Sequence, residues 1–461
     1  MQSSKFSILT LKKPLLDNLT TLGYSEMTEI QSQSLPSILK GKDVIGQGKT
    51  GSGKTAAFGL GLLNKLDVKK FRVQSLVLCP TRELADQVAK ELRKLARAIH
   101  NIKILTLCGG MPVGPQIGSL EHGAHIIVGT PGRIEDHLQK GRLNLMNLNM
   151  LVLDEADRML EMGFQNSLDA IVGQCPDDRQ TLLFSATFPD KIKAISSKIL
   201  KQPEHVKVTS VHQESTIEQA FYRVDSNEDR LDAVQRVLLE HQPESAVIFC
   251  NTKIAVQEVA NGLADLGFSA LALHGDLEQR DRNETLLKFA NKSALILIAT
   301  DVAARGLDID DLEAVINYDI TPDPEVHVHR IGRTGRAGGK GIACSIYCDK
   351  DSRRIADIET YQNMEIEDYV LPDNSVFSKR PPKPKMTTLQ IDGGKKQKLR
   401  PGDIVGGLTG KGGIQGNQVG KIQVFDVKAY VAVESKVAKT AVKKIMDGKM
   451  KGKNFRVRIL P

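Results

Sequence analysis

The stretch Asp43-Val-Ile45-Gly-Gln-Gly48-Lys49-Thr50-Gly51-Ser52-Gly53-Lys54-Thr55, running on into Ala56-Ala-Phe-Gly-Leu-Gly-Leu-Leu63, decides how this chain folds. A short apolar run reads as a strand, the glycine-rich segment as a phosphate loop, and the apolar remainder as a helix that opens at the loop. Glycines there let backbone N–H groups close around phosphates, while Lys54 reaches the terminal ones and the Thr55 hydroxyl ligates Mg2+. A strand, a phosphate loop and a helix in succession belong to an α/β architecture on a parallel sheet.

Working outward, Met150-Leu-Val-Leu153 is a buried-strand run ended by Asp154-Glu155-Ala-Asp157. Asp154 sits where a second Mg2+ ligand belongs, and Glu155 is placed to orient or deprotonate an attacking water. About 180 residues further on, His329-Arg330-Ile-Gly-Arg333-Thr-Gly-Arg336 supplies arginines able to neutralise the charge of a transferring phosphoryl group. That interval exceeds what one core spans, so an ATP site divided between two bodies is expected.

Apolar runs alternate with helical stretches along most of the chain. Strands are expected at Ser75–Cys79, Ile126–Val128, Leu151–Leu153, Thr181–Phe184, Ala246–Cys250, Leu295–Ile298 and Ala314–Asn317. The polar stretch Gln202–Ser215 reads as an interdomain linker. Leu371–Lys385, rich in proline and basic residues, reads as an extended, semi-rigid spacer. The expected domains are 1–208, 209–370, the linker 371–385, and 386–461.

With 41% hydrophobic and 26% charged residues over 461 positions, the chain can bury several cores. No apolar run reaches the ~20 residues of a membrane span, and Met1-Gln-Ser-Ser-Lys-Phe6 lacks a signal-peptide core, so a cytoplasmic protein is expected. The six scattered cysteines read as buried free thiols. The net charge of +8 is uneven: from Lys379 onward there are 20 of the 63 Lys and Arg but only 5 of the 55 Asp and Glu. Such a basic tail attracts a polyanion, nucleic acid rather than lipid.

These segments resemble the DEAD-box RNA helicases of superfamily 2. The same order carries Pro80-Thr-Arg-Glu-Leu-Ala85, Gly109-Gly110, Thr130-Pro-Gly-Arg133, Ser185-Ala-Thr187, Asn251-Thr252, Gln279-x-x-Arg282 and Ala299–Asp308. The resemblance implies two tandem RecA-like domains of α/β class that close on ATP and single-stranded RNA and separate short duplexes. It implies that Gln31 reads adenine through two hydrogen bonds, that Phe6 stacks on the base, and that Gly306 and Asp308 complete the ATP site. Pro80, Thr81, Arg82, Gly109, Gly110, Thr130, Gly132 and Arg133, with Thr252, Gln279, Arg282 and Thr300, match backbone-gripping positions. Arg333 and Arg336 match the two arginine fingers. Asp157, Ser185, Thr187, His329 and Arg330 match the residues that couple the domains, His329 and Arg330 bridging toward the acidic and Ser185 segments.

Residues 386–461 read as βαββαβ, the order of a small α+β RNA-recognition-motif domain. Its strand aromatics reduce to Tyr430, so RNA contacts are expected from the basic residues Lys395, Lys396, Lys398, Arg400, Lys451, Lys453, Arg456 and Arg458. The tail resembles that of the bacterial DbpA subfamily. The resemblance implies tethering to a 23S ribosomal RNA hairpin near the peptidyl-transferase centre and action, as a monomer, on precursors of the large subunit. Two rival readings remain, an ATP-dependent RNA clamp without useful unwinding and a DNA-directed superfamily-2 helicase.

Overall fold

The computed structural model describes residues 5–48, 51–208, 217–304, 312–335 and 341–460. They fall into two compact units, 5–208 and 217–460. The first is built on seven parallel strands: β1 Val44–Gln47, β2 Ser75–Leu78, β3 Ile104–Leu107, β4 Ile126–Gly129, β5 Met150–Asp154, β6 Gln180–Ser185 and β7 Glu204–Lys207. Their order is β3-β4-β2-β5-β6-β1-β7. Helices cover both faces, which is why β2, β4, β5 and β6 are buried at every position and carry apolar runs at their centres.

The second unit repeats the plan with β8 Ile217–Arg223, β9 Ala246–Phe249, β10 Ala270–Leu273, β11 Ile296–Ala299, β12 Ala314–Asn317, β13 Gly341–Tyr347 and β14 Asp368–Tyr369. These strands are also parallel, in the order β10-β11-β9-β12-β13-β8-β14. The same unit carries an antiparallel sheet of β15 Met386–Ile391, β16 Val419–Val424, β17 Ala429–Glu434 and β18 Val457–Ile459, ordered β16-β17-β15-β18. Helices Pro401–Thr409 and Ala438–Asp447 bury Ile404, Leu408, Ala441 and Ile445 against Leu389, Ile391, Val431 and Val433.

One expectation changes. The stretch read as a linker from Gln202 begins with β7, which pairs in parallel with β1 and closes the sheet edge. Its polar sequence hid a strand that buries only Val206. The proline-rich spacer, expected to be semi-rigid, is fixed to the second parallel-sheet domain. Val376 is buried in a 3-10 turn, Arg236 donates to Pro372 O at 3.1 Å, and Lys379 pairs with Glu240 at 2.5 Å.

The outer face of the small sheet, where RNA-recognition-motif domains stack bases, is partly closed. Thr388 is 1% exposed and its hydroxyl bonds Asn291 Nδ2 at 3.1 Å and Ser293 Oγ at 2.7 Å. The tail domain is therefore docked on the second parallel-sheet domain. All six cysteines are buried and unpaired, and no described helix is long and apolar enough to cross a membrane.

Candidate nucleotide and RNA sites

In the first sheet, strand order sorts the chemistry. The carboxyl ends of β5, β6 and β1 lie side by side and lead into Asp154, Ser185 and the phosphate loop. Gly53 holds φ 96° immediately before helix Lys54–Lys65, a backbone state that glycine supplies without strain. Lys54 is buried and its Nζ donates to Gly48 O at 2.5 Å. The Gly48 N–H donates to Ser185 O at 3.0 Å, which ties the loop to β6. Lys49 and Thr50 lie outside the described residues.

Asp154 ends β5 fully buried, and burial reinforced by the Glu155 carboxylate pushes it up to about 7, against the pull of Lys54. Glu155 follows in the left-handed region, φ 52°, a conformation that costs a non-glycine residue on the order of 1–3 kcal/mol. That kink turns the chain from strand into helix Ala156–Glu161 and points Asp157 toward β6. Asp157 Oδ2 accepts from Ala186 N at 3.2 Å, Thr187 N at 2.9 Å and Thr187 Oγ1 at 3.0 Å. Ser185 Oγ donates to Thr187 O at 2.6 Å. The sequence segments around Gly48, Asp154 and Ser185 are thus one bonded cluster.

Gln31 and Phe6 stand differently from expectation. Gln31 is 2% exposed and both ends of its amide are engaged: Oε1 accepts from Thr28 N at 2.9 Å and Nε2 donates to Gly53 O at 3.1 Å. It caps its own helix and braces the phosphate loop, so a free two-point edge for a base is not what the structure presents. Phe6 is 4% exposed and edge-on to Tyr24, not an open stacking face.

The other half of the same sheet gathers the backbone-gripping candidates. The carboxyl ends of β3, β4 and β2 are neighbours and lead to Gly109-Gly110, Thr130–Arg133 and Pro80–Arg82. Thr81 caps helix Arg82–Leu95, and Thr130 Oγ1 accepts from Gly109 N at 3.2 Å, joining the β4 and β3 loops. Arg133 donates twice to Met111 O, both at 3.2 Å, and Gly132 lies exposed beside it. Arg82 lies so close to Gly110 that a β-carbon there would stand 1.9 Å from its Nη1. That nitrogen is buried with no hydrogen-bond partner among the described residues. A buried unpaired guanidinium donor is costly unless something else accepts from it.

The second sheet repeats this sorting. β10, β11 and β9 are neighbours, and the segments after them carry Gln279 and Arg282, Thr300, and Thr252. Thr252 and Thr300 hydroxyls accept from Ala255 N at 3.1 Å and Ala303 N at 3.3 Å. Gln279 donates to Asn283 at 2.9 Å while its Oε1 is buried without a partner among the described residues.

Arg330 requires a correction. Its five N–H groups go to Asp301 Oδ1 and Oδ2 at 2.7 and 2.8 Å, Asn317 at 3.2 Å, Asp319 O at 2.7 Å and Asn251 at 2.9 Å. At 2% exposure it binds its own unit together and has no donor left to bridge toward the acidic segment. Asn251 and Asp301, which form this network, went unassigned in the sequence although both lie in quoted segments. His329 and Arg333 are half-buried at and just beyond the end of helix Pro324–Ile331. Gly306, Asp308 and Arg336 lie outside the described residues.

On the tail, Lys395, Lys396, Lys398, Arg400, Lys451, Lys453, Arg456 and Arg458 are all exposed, and Tyr430 is half-buried. Arg458 Nη2 donates to Gln390 Oε1 at 3.2 Å.

Comparison with known proteins agrees with this arrangement. Residues 28–195 match the DEAD/DEAH box helicase model, 229–338 the helicase conserved C-terminal domain, and 388–459 the DbpA RNA binding domain. The chain is 54% identical over 456 residues to the ATP-dependent RNA helicase DbpA of Escherichia coli, covering 99% of both proteins. It is 37% identical to DbpA of Bacillus subtilis, covering 98% of this chain and 99% of that one. Among solved structures, S. cerevisiae Dbp5 bound to RNA and ADP BeF3 is similar at TM-score 0.72 and 30% identity, over 80% of this chain and 96% of that one. The chain belongs to the DEAD-box family of ATP-dependent RNA helicases, with a C-terminal RNA-binding domain of the DbpA type.

Proposed function

We propose that the protein locally unwinds short RNA duplexes at the expense of ATP, and that its tail directs this to 23S ribosomal RNA during large-subunit assembly in the cytoplasm. The observation that carries the reading is the sorting of each parallel sheet. In the first, phosphate-binding and acidic loops occupy one half of the carboxyl edge and candidate RNA loops the other. Buried, unpaired Arg82 Nη1 and Gln279 Oε1 then await polar partners of the kind a sugar–phosphate backbone offers.

Within the first unit, Lys54 would hold the terminal phosphates and Glu155 the attacking water. Thr55 and Asp154 are hard oxygen donors, and a buried carboxylate pushed above its usual range fits a divalent cation that restores its charge. Mg2+ bound there would neutralise phosphate charge while keeping most of its water. Asp157 and Thr187 would carry the state of the phosphate loop to the Ser185 segment, and Arg333 and Arg336 would supply the transition-state charge. The subfamily resemblance, not the geometry, supplies the ribosomal target; two relatives are named DbpA.

The test is strand displacement of a short RNA duplex with matched RNA and DNA cofactors for ATP hydrolysis. Displacement with stimulation by RNA supports the reading. Hydrolysis and tight RNA retention without displacement would leave an RNA clamp, and stronger stimulation by DNA would overturn the choice of RNA.

A further inference from the structure

The hairpin joining β16 to β17 carries an aromatic residue that no part of the site above uses. Phe425 is 48% exposed, and its ring stands edge-on to Tyr430 at 5.7 Å and 85°. The turn is closed by the Phe425 N–H donating to Lys428 O at 2.8 Å, and Val427 beside it is 52% exposed. One edge of the ring packs on Tyr430, and the rest of its π-face is left to solvent beside the basic loop.

The surroundings of that ring are set by a glycine. A β-carbon on Gly394 would stand 2.1 Å from Phe425 O, so only glycine lets the chain pass so close. The close pass allows Lys395 N to donate to Phe425 O and Lys396 N to Asp426 O, both at 2.8 Å. The basic segment Lys395–Arg400 is thereby bonded to the hairpin tip, with Lys395, Lys396 and Lys398 exposed around it. Pairing register places Gln423, Tyr430, Gln390 and Arg458 in one row across the outer sheet face. The neighbouring Thr388 position is closed by Asn291 and Ser293, so the rim is where this sheet remains open.

We propose that Phe425, backed by Tyr430, is a stacking platform for one unpaired RNA base, whose flanking phosphates are held by Lys395 and Lys396. An exposed aromatic ring among cations suits a nucleotide, which offers a π-face and a charge together. The proposal rests on the reading that this domain binds RNA and adds a residue and a ligand shape to it: a splayed-out base, not a paired stem.

The chain contains no tryptophan, so Phe425→Trp in the full-length protein places a single indole at the site. Titration with a hairpin RNA bearing an unpaired loop is expected to quench its emission saturably, while a fully paired duplex of equal length does not. Phe425→Ala is expected to weaken hairpin binding roughly 5- to 150-fold with an unchanged salt dependence. Lys395→Ala and Lys396→Ala are expected to flatten that dependence. If Phe425→Ala binds the hairpin as tightly as the parent while the lysine variants lose affinity, the domain holds RNA by charge alone. The ring then takes no part in holding RNA and the proposal is overturned. If the lysine variants also bind unchanged, the RNA reading of the basic loop falls with it.

Discussion

Single residues carry the sharpest consequences. Lys54 is the only side chain here that closes back on the phosphate loop's own carbonyl at Gly48 among the described residues, so Lys54→Ala is expected to weaken ATP binding directly, as read by nucleotide titration. Glu155→Gln keeps the shape and the kinked backbone but loses the base. ATP should still bind while turnover falls by two or more orders of magnitude in steady-state hydrolysis. Arg330→Ala removes a guanidinium whose five N–H groups are spent inside one unit, and the expected cost is about 3–5 kcal/mol in denaturant unfolding. An unfolding midpoint unchanged by that substitution would restore a pure coupling role. His327 is fully buried, stacked on Phe221, and its ring nitrogens lack partners among the described residues. Burial and then Arg330 push it down to about 4. Its folded pKa lies below the unfolded value of about 6.5, so the unfolded chain takes up the proton first. Stability is complete above about 6.5 and drains as pH falls toward 4. Between pH 7.5 and 5 this residue should cost about 2 kcal/mol, a loss that His327→Phe removes.

At the scale of elements, burial separates many of the strands that the sequence reveals from those it hides, although the buried interior strand β13, with β3 and β10, was also missed. β2, β4, β5, β6, β9, β11 and β12 are closed on both faces, so each carries an apolar stretch that announces itself. β7, β8 and β14 sit at or next to a sheet edge, carry charge at solvent positions, and pass for loop in a hydrophobicity reading. The candidate site was legible where a segment's chemistry is local, as in the phosphate loop at Lys54 and the strand-ending Asp154; the Asp157–Thr187 bonds, 30 residues apart, were not. It was not legible where a role depends on long-range company. Arg330 looked like a bridge because nothing in its own segment names Asn251, Asn317 or Asp301 as the groups that consume it. Phe425 escaped because it lies in a turn, one residue beyond the strand where stacking aromatics are sought. The loops after β2, β3 and β4 should act as one surface. Arg82→Ala is therefore expected to weaken RNA of any sequence alike while leaving ATP affinity intact, as measured by anisotropy with two unrelated oligonucleotides.

At the scale of the whole molecule, charge and docking work together. From Lys379 onward the chain carries a surplus of 15 positive charges, over the end of the spacer and a tail domain that the Thr388 contacts and the Lys379–Glu240 pair fasten to the second parallel-sheet domain. On the proposed reading, RNA held by the tail would therefore stand at a fixed place relative to Gln279 and Arg282 of the same unit. The measurement that tests the account most directly is ATP hydrolysis by the full-length chain against increasing concentrations of a 23S ribosomal RNA fragment containing the peptidyl-transferase region, beside an equal mass of unrelated structured RNA. The account predicts that the ribosomal fragment reaches half-maximal activation at far lower concentration. Equal activation by both would contradict it, leaving an RNA-dependent ATPase whose basic tail is a general anchor.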